Sequence, residues 1–168
     1  MSDLLRHACS FLFVPASRPE RLHKALASSA DMVIADLEDA VAPDDKASAR
    51  TALAALVPTL DAAQRTRLLV RINAAGTAWV DDDVHTVTTL VSRGLAGAVV
   101  PKAESPEYLN QLAQQTGTGC ALVALIETVA GMDALPALAL AAQVQRPAIG
   151  HLDLQVDARM HCAPDEGE

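Results

Sequence analysis

Six short apolar runs, each separated from the next by a longer helical stretch, predict six β/α units. The runs are Ser10–Pro15, Met32–Leu37, Arg67–Asn73, Gly97–Pro101, Cys120–Ile126 and Pro147–Leu152. Their apolar residues occupy consecutive positions and do not alternate with polar ones, which is typical of parallel strands covered on both faces. The pattern therefore indicates an α/β protein built on a parallel sheet.

The segments between these runs carry helix-start signals. Ser17 and Glu20 fit a capping box ahead of a helix over Arg21–Ser28, and Pro43 with the two aspartates after it opens a helix over Lys46–Leu56. Three more helices are predicted downstream: Asp81–Val91, a helix opened by Ser105-Pro106-Glu107, and Thr128–Ala142, bent at Pro136.

Such a series of β/α units forms either an open doubly wound sheet or a β/α barrel. The open sheet usually has a glycine-rich turn after its first strand, whereas Val14–Pro19 contains no glycine. The sequence therefore favours a TIM-type (β/α) barrel. Eight units take about 250 residues, so we expect residues 1–168 to form one barrel domain of about six units that lacks its C-terminal units. Open strand edges would then favour a homo-oligomer, a trimer or a multiple of it.

Composition narrows the class of partner. Lys and Arg total 13 against 21 Asp and Glu, the formal net charge is −8, and aromatic residues make up 2%. These values argue against nucleic acid or a membrane surface and leave a small molecule as the expected partner. No apolar run reaches the length of a membrane span, the N-terminus does not resemble a secretory signal, and Cys9, Cys120 and Cys162 suggest neither a disulfide frame nor a zinc site. We therefore expect a cytoplasmic protein.

Charged or polar residues follow every predicted strand after the first. Because the carboxyl ends of parallel strands converge at one end of a β/α protein, these side chains are expected to share a site. They are, in strand order, Asp36, Glu38 and Asp39; Arg71 and Asn73; Lys102 and Glu104; Glu127; and Asp153.

Glu127 and Asp153 form the most informative pair. They lie 26 residues apart, about one β/α unit, so they are expected on adjacent strands about 4.8 Å apart. Two carboxylates so close repel unless a cation lies between them, and oxygen ligands suit Mg²⁺ or Mn²⁺. The alternative is that Glu127 caps a helix while Asp153 pairs with an arginine.

Arg71 and Lys102 are the candidate cations of this site. The guanidinium fork of Arg71 suits a carboxylate or thioester oxygen, but an ion pair with Glu38 or Asp39 is equally compatible with the pattern. Lys102 would bind substrate or form a Schiff base, although a buried salt bridge to the Asp36, Glu38 and Asp39 cluster is the more common role for such a lysine.

Five motifs in order resemble those of the citrate lyase β-subunit-like proteins of the HpcH/HpaI aldolase superfamily, whose kin include malyl-CoA and citramalyl-CoA lyases. The first joins Phe13-Val14-Pro15 and Arg18-Pro19-Glu20-Arg21 to the segment Ala30–Val41. The others are Val70-Arg71-Ile72-Asn73, Pro101-Lys102-Ala103-Glu104-Ser105, Leu125-Ile126-Glu127-Thr128 and Gly150-His151-Leu152-Asp153. The resemblance covers nearly the whole chain.

The resemblance implies a Mg²⁺-dependent carbon–carbon lyase that acts on a hydroxy-acyl thioester such as citryl-, malyl- or citramalyl-CoA, carried by CoA or an acyl-carrier protein. Glu127 and Asp153 would hold Mg²⁺. Arg71 and Glu127 would bind substrate and serve catalysis, Arg71 by stabilising the enolate oxygen of the thioester fragment. Arg18 and Lys24 would lie where a CoA phosphate or adenine rests.

Two other functions stay open at this point. One is a truncated, non-catalytic relative that binds metal and a small acid, or a partner. The other is a 2-keto-acid aldolase that does not use CoA.

Overall fold

The structure, a computed structural model, describes residues 4–160, so Cys162 lies outside the described part of the chain. Six parallel strands form one sheet in the order β1 to β6. Their bounds are β1 Phe11–Pro15, β2 Met32–Asp36, β3 Leu68–Arg71, β4 Gly97–Val100, β5 Ala121–Ile126 and β6 Val144–Ile149.

The strand order decides between the two architectures. Each strand pairs in parallel with the next one in sequence. A doubly wound sheet instead reverses its order at a switch point, whereas sequential pairing is the arrangement of a β/α barrel wall. The predicted α/β class with six β/α units is therefore confirmed. Over residues 4–160 the sheet is open, with β1 and β6 at its edges, and closure into a barrel stays a prediction.

The helices cover one face of this sheet. Their bounds are α1 Leu4–His7, α2 Pro19–Leu26, α3 Lys46–Leu56, α4 Ala62–Thr66, α5 Val80–Val91, α6 Pro106–Thr116, α7 Val129–Leu138 and α8 His151–Asp157, with 3-10 turns at Pro43–Asp45 and Val57–Thr59. Within residues 4–160, none of these helices has the length and apolar character needed to cross a bilayer.

Alternation along each strand divides the core in two. On β2, Val33 and Ala35 point into the large cluster between sheet and helices, while Met32 and Ile34 point to the opposite face. This follows from the period-2 geometry of a strand. The opposite face also collects Leu5 and Ala8 from the N-terminal segment. Both faces of the central strands are therefore buried, which explains their unbroken apolar runs.

Three of the predicted local features are wrong in detail. Helix α2 begins after Arg18, which makes no side-chain capping bond, so Ser17 does not cap it. Helix α7 contains Pro136 but ends at Leu138, short of the predicted Ala142. A real capping box, formed by Asp61 and Gln64 at the start of α4, lies in a segment for which no helix was predicted.

The sixth strand was predicted three residues too late. It starts at Val144, and Gly150 precedes helix α8, so His151 and Leu152 belong to a helix. Edge strand β6 carries Gln145 and Arg146 and is only partly buried, with an irregular register against β5 near Leu122 and Val123. Because it lacks a continuous apolar run, its first half gave no strand signal.

Candidate active site

The carboxyl ends of the strands bring most of the predicted site residues together. Asp36 and Arg71 are the last residues of paired strands β2 and β3. Glu127 directly follows β5, whereas Asp153 lies in the first turn of α8 and not at a strand end as predicted. Glu104 points elsewhere, since its Oε1 accepts a hydrogen bond of 2.7 Å from the Thr128 hydroxyl.

Asp36 and Arg71 form a buried two-pronged ion pair. Arg71 donates from Nε to Asp36 Oδ1 at 2.8 Å and from Nη2 to Oδ2 at 2.6 Å. The same carboxylate accepts main-chain N–H groups of Glu38 at 2.9 Å and Ala40 at 3.2 Å. This pairing was not anticipated, because the sequence offered Glu38 and Asp39 as the partners of Arg71.

Those two expected partners are present as well. Arg71 Nη1 lies 3.0 Å from Glu38 Oε2 and 3.3 Å from Asp39 Oδ2, and its guanidinium carbon lies 5.2 Å from the centre of the Phe13 ring. Burial opposes the charge of Arg71, but the hydrogen bonds and charge of Asp36 outweigh it and raise the pKa of the guanidinium. Arg71 is therefore a permanent cation held in one orientation.

Glu38 is the most perturbed carboxyl of the site. Burial raises its pKa to about 7, although the charge of Arg71 acts in the opposite direction. Its Oε2 is buried without a hydrogen bond of good geometry, while Oε1 lies 3.7 Å from Lys102 Nζ. Glu38 thus stands between the two cations of the site.

A second buried network, which sequence reasoning missed, supports the loop after β2. Lys46 Nζ donates to the carbonyls of Leu37 at 2.7 Å and Glu38 at 2.9 Å. Asn73 Nδ2 donates to the Leu37 carbonyl at 3.1 Å and to Asp83 Oδ2 at 2.6 Å. Burial lowers the pKa of Lys46. Asp83 follows two other aspartates, and nothing in the sequence marks it as the buried member of the three.

Glu127 is fixed on several sides. Its Oε2 accepts the main-chain N–H of Lys102 at 3.0 Å. A Cβ at Gly150 would lie 2.5 Å from Glu127 Cγ and 2.8 Å from Oε1, so the carboxylate packs directly on this glycine. Burial raises the pKa of Glu127, and the nearby charge of Asp153 acts in the same direction.

Asp153 is much less constrained. No residue of α8 is buried, and the Asp153 side chain is 46% exposed. Its Oδ2 accepts a bond of 3.3 Å from Lys102 Nζ. Lys102 therefore pairs with Glu38, as one interpretation of the sequence held, but it also reaches Asp153 and is itself 42% exposed.

One cavity of about 240 Å³ joins these groups. Arg71, Glu127 and Asp153 all line it, together with Asp39 and His151, and the apolar part of its wall comes from Phe13, Leu125, Ile149 and Leu152. The cavity thus presents one guanidinium and several carboxylates beside an apolar wall.

The donor set fits a divalent ion bound by two carboxylates. Two acids share one cavity, and burial and mutual repulsion raise the pKa of Glu127, as expected where a cation is needed for balance. Within residues 4–160 no three or more His, Cys, Asp or Glu side chains cluster as a metal cage. Mg²⁺ commonly takes one or two carboxylates and keeps its other positions for water and substrate.

Arg18 and Lys24 lie on α2, away from this cavity wall. Arg18 is at the helix start, on the side of the carboxyl strand ends, while Lys24 is six residues further along, about 9 Å down the axis. Both side chains are exposed. Lys24 borders a surface groove with Arg21 beside β1, and Arg18 does not line that groove.

Known proteins share this fold and sequence pattern. A citrate lyase subunit beta-like protein of Mycobacterium tuberculosis is 42% identical over 123 residues, which cover 72% of this chain and 39% of that protein. A (3S)-malyl-CoA thioesterase of Cereibacter sphaeroides is 32% identical over 156 residues, 93% of this chain and 53% of that protein. The chain therefore spans about half the length, or less, of these relatives.

A solved structure of CitE from M. tuberculosis, in complex with magnesium, acetoacetate and coenzyme A, is 36% identical with a TM-score of 0.78, over 96% of this chain and 56% of that chain. The family model of the HpcH/HpaI aldolase/citrate lyase family matches residues 9–168. With sequence, strand order and family model in agreement, the chain belongs to the HpcH/HpaI aldolase/citrate lyase family.

Proposed function

We propose that this chain carries the site of a Mg²⁺-dependent carbon–carbon lyase that acts on a hydroxy-acyl thioester such as citryl-, malyl- or citramalyl-CoA. The observation that carries the proposal is the shared cavity, where Arg71, Glu127 and Asp153 face the same space. A substrate anion needs a cation to bind it, and a bound divalent ion needs carboxylate ligands. The cavity supplies both on adjoining walls.

Glu127 and Asp153 would hold the metal. When bound there, Mg²⁺ would act as a Lewis acid on the carboxylate and neighbouring oxygen of the substrate. Cleavage of the adjacent carbon–carbon bond leaves negative charge on the thioester oxygen of the departing fragment. Arg71 is the preorganised donor for that charge, because its orientation is set by Asp36 before substrate arrives.

Arg71 must have a hydrogen bond to spare for a substrate. Asp36 takes Nε and one direction of Nη2, and both contacts are buried. Asp39 is the weakest partner, at 3.3 Å and with a side chain that is 64% exposed. We infer that a substrate oxygen displaces Asp39 while Asp36 stays in place, so the fork keeps its orientation.

The relatives support a CoA thioester as the substrate class. One bears the name of a malyl-CoA thioesterase, and the CitE structure contains magnesium, acetoacetate and coenzyme A. We extend this to the present chain as a proposal, with Arg18 and Lys24 on α2 as the candidate contacts for the phosphates or adenine. A homo-oligomer, one domain over residues 1–168 and a cytoplasmic location also stay predictions.

The decisive experiment incubates the chain with malyl-CoA and Mg²⁺ and separates the products. A lyase yields acetyl-CoA and glyoxylate in equal amounts. Free malate and CoA without glyoxylate would indicate a thioesterase instead. Cleavage of a free hydroxy-keto acid without CoA would favour the aldolase alternative, and Mg²⁺ binding without turnover of any of these would favour a non-catalytic relative.

Two substitutions test the metal ligands directly. Glu127→Gln and Asp153→Asn each remove a charged oxygen ligand, so we expect either change to abolish Mg²⁺ binding measured by titration calorimetry. The Glu104→Gln variant is the matched control, because Glu104 bonds to Thr128 and does not line the cavity. Unchanged Mg²⁺ affinity in both ligand variants would refute the assignment.

A further inference from the structure

Lys102 contacts both of the carboxylates that we assign to the metal. Its main-chain N–H donates to Glu127 Oε2 at 3.0 Å, and its ammonium group donates to Asp153 Oδ2 at 3.3 Å. One oxygen of each carboxylate is thus engaged by the same residue. The second oxygen of each carboxylate is left for a ligand in the cavity.

The backbone at Lys102 adopts a conformation that lysine seldom takes. Its φ is +46°, in the left-handed region that glycine occupies at the least cost. The turn follows Pro101 directly after β4, and it is this turn that presents the N–H to Glu127. A lysine in such a turn costs about 1 kcal/mol relative to glycine, so contacts of its side chain must offset the strain.

The two carboxylates depend on Lys102 to different degrees. Glu127 is also held by burial and by its packing on Gly150. Asp153 lies on a seven-residue helix with no buried residue, and its side chain is half exposed. The ammonium group of Lys102 is therefore the contact that ties Asp153 to the end of β4. Partners of this kind typically change metal affinity by 10- to 100-fold when they are removed.

We propose that Lys102 is a positioning residue of the metal site, which orients Glu127 through its main-chain N–H and Asp153 through its ammonium group so that the free oxygens of both carboxylates serve one divalent ion. The proposal rests on the proposed function, since it takes Glu127 and Asp153 as the metal ligands. In this role Lys102 forms no Schiff base, and its amine stays protonated, because the neighbouring acids raise its pKa against the opposing effect of burial.

The test measures Mg²⁺ binding by titration calorimetry in the wild type and three variants. Lys102→Met removes the ammonium group and keeps the N–H. Lys102→Gly does the same and also relieves the positive φ, so it folds without backbone strain. We expect both to weaken Mg²⁺ binding at least 10-fold. Lys102→Arg, which restores a cation, should return the affinity to within about threefold of the wild type.

Arg93→Met serves as the matched control, because it removes one exposed positive charge just before the opposite end of β4. It should leave Mg²⁺ affinity unchanged. If Lys102 instead only competes with the metal for the carboxylates, the Met and Gly variants will bind Mg²⁺ as tightly as the wild type or more tightly, and that result overturns the proposal alone. A wild type that binds no Mg²⁺ overturns the metal-dependent function together with it.

Discussion

The two sides of the cavity are built in opposite ways. On the β2–β3 side, Asp36 and Arg71 are buried, joined by two hydrogen bonds, and supported by the Lys46 and Asn73 contacts to the following loop. On the β5–α8 side, only Glu127 is buried, and Asp153 extends from a short exposed helix. The anion-binding half is therefore rigid before any ligand arrives, while the metal-binding half relies on a few contacts at its surface.

This difference has an energetic reason. Removing one partner of a buried ion pair leaves an uncompensated charge in a medium of low dielectric constant, whereas an exposed pair is screened by water. The first side should therefore control the stability of the fold, and the second should control ligand affinity with little effect on stability.

The largest expected effect comes from breaking the buried pair. Asp36→Ala leaves the Arg71 guanidinium without its two-pronged partner, and we expect it to lower the free energy of unfolding by about 3–5 kcal/mol. Asp153→Ala should change it by about 0.5 kcal/mol, because that side chain is half exposed. Urea unfolding of both variants measures the contrast. Equal losses in the two would show that the sides do not differ as described.

A second effect concerns Glu38, whose pKa is raised to about 7 in the fold. As pH rises from about 4.5, the carboxyl ionises in the unfolded chain while the folded chain keeps its proton, so the wild type loses stability until the pH passes about 7. Glu38→Gln cannot ionise. We expect it to gain on the order of 2–3 kcal/mol relative to the wild type between pH 4.5 and pH 8.

Urea unfolding of both proteins across that pH range gives the difference directly and cancels the other titrating groups. A constant difference would mean that Glu38 ionises in the fold as it does in the unfolded chain.

A smaller effect is expected at Gly150, on the metal-binding side. A methyl group there would meet Glu127 Cγ at 2.5 Å and Oε1 at 2.8 Å, so Gly150→Ala should push the carboxylate aside and weaken Mg²⁺ binding about 10-fold. Gly119→Ala is the matched control, since its methyl group meets only a side-chain carbon of Val91 at 3.4 Å. Calorimetry that finds equal Mg²⁺ affinity in both variants would show that Glu127 does not depend on this packing.

Sequence reasoning located the central strands well because each is buried on both faces and is apolar along its length. It placed β6 wrongly because an edge strand that is only partly buried carries polar residues such as Gln145 and Arg146. It missed the short helices α1, α4 and α8, whose four to seven residues are too few to show a periodic pattern.

For the site, the positions of charged residues after the strands were sufficient to bring Arg71, Glu127 and Asp153 into one hypothesis. The partners of those residues were not predictable in the same way. Arg71 was expected to pair with Glu38 or Asp39, yet its main partner is Asp36 at the end of the adjacent strand. Lys46 and Asp83 gave no signal, because charged residues on a helix are ordinarily exposed.

The amino-acid sequence by itself determined the number and order of the β/α units and the end of the sheet at which charge accumulates, because both follow from local hydrophobic patterns and from parallel strand geometry. Only the tertiary structure decided which charges are paired, which are buried, and which residue joins Glu127 to Asp153. Those properties depend on distances of a few ångströms between residues remote in sequence, and on how much water each side chain loses when the elements pack together.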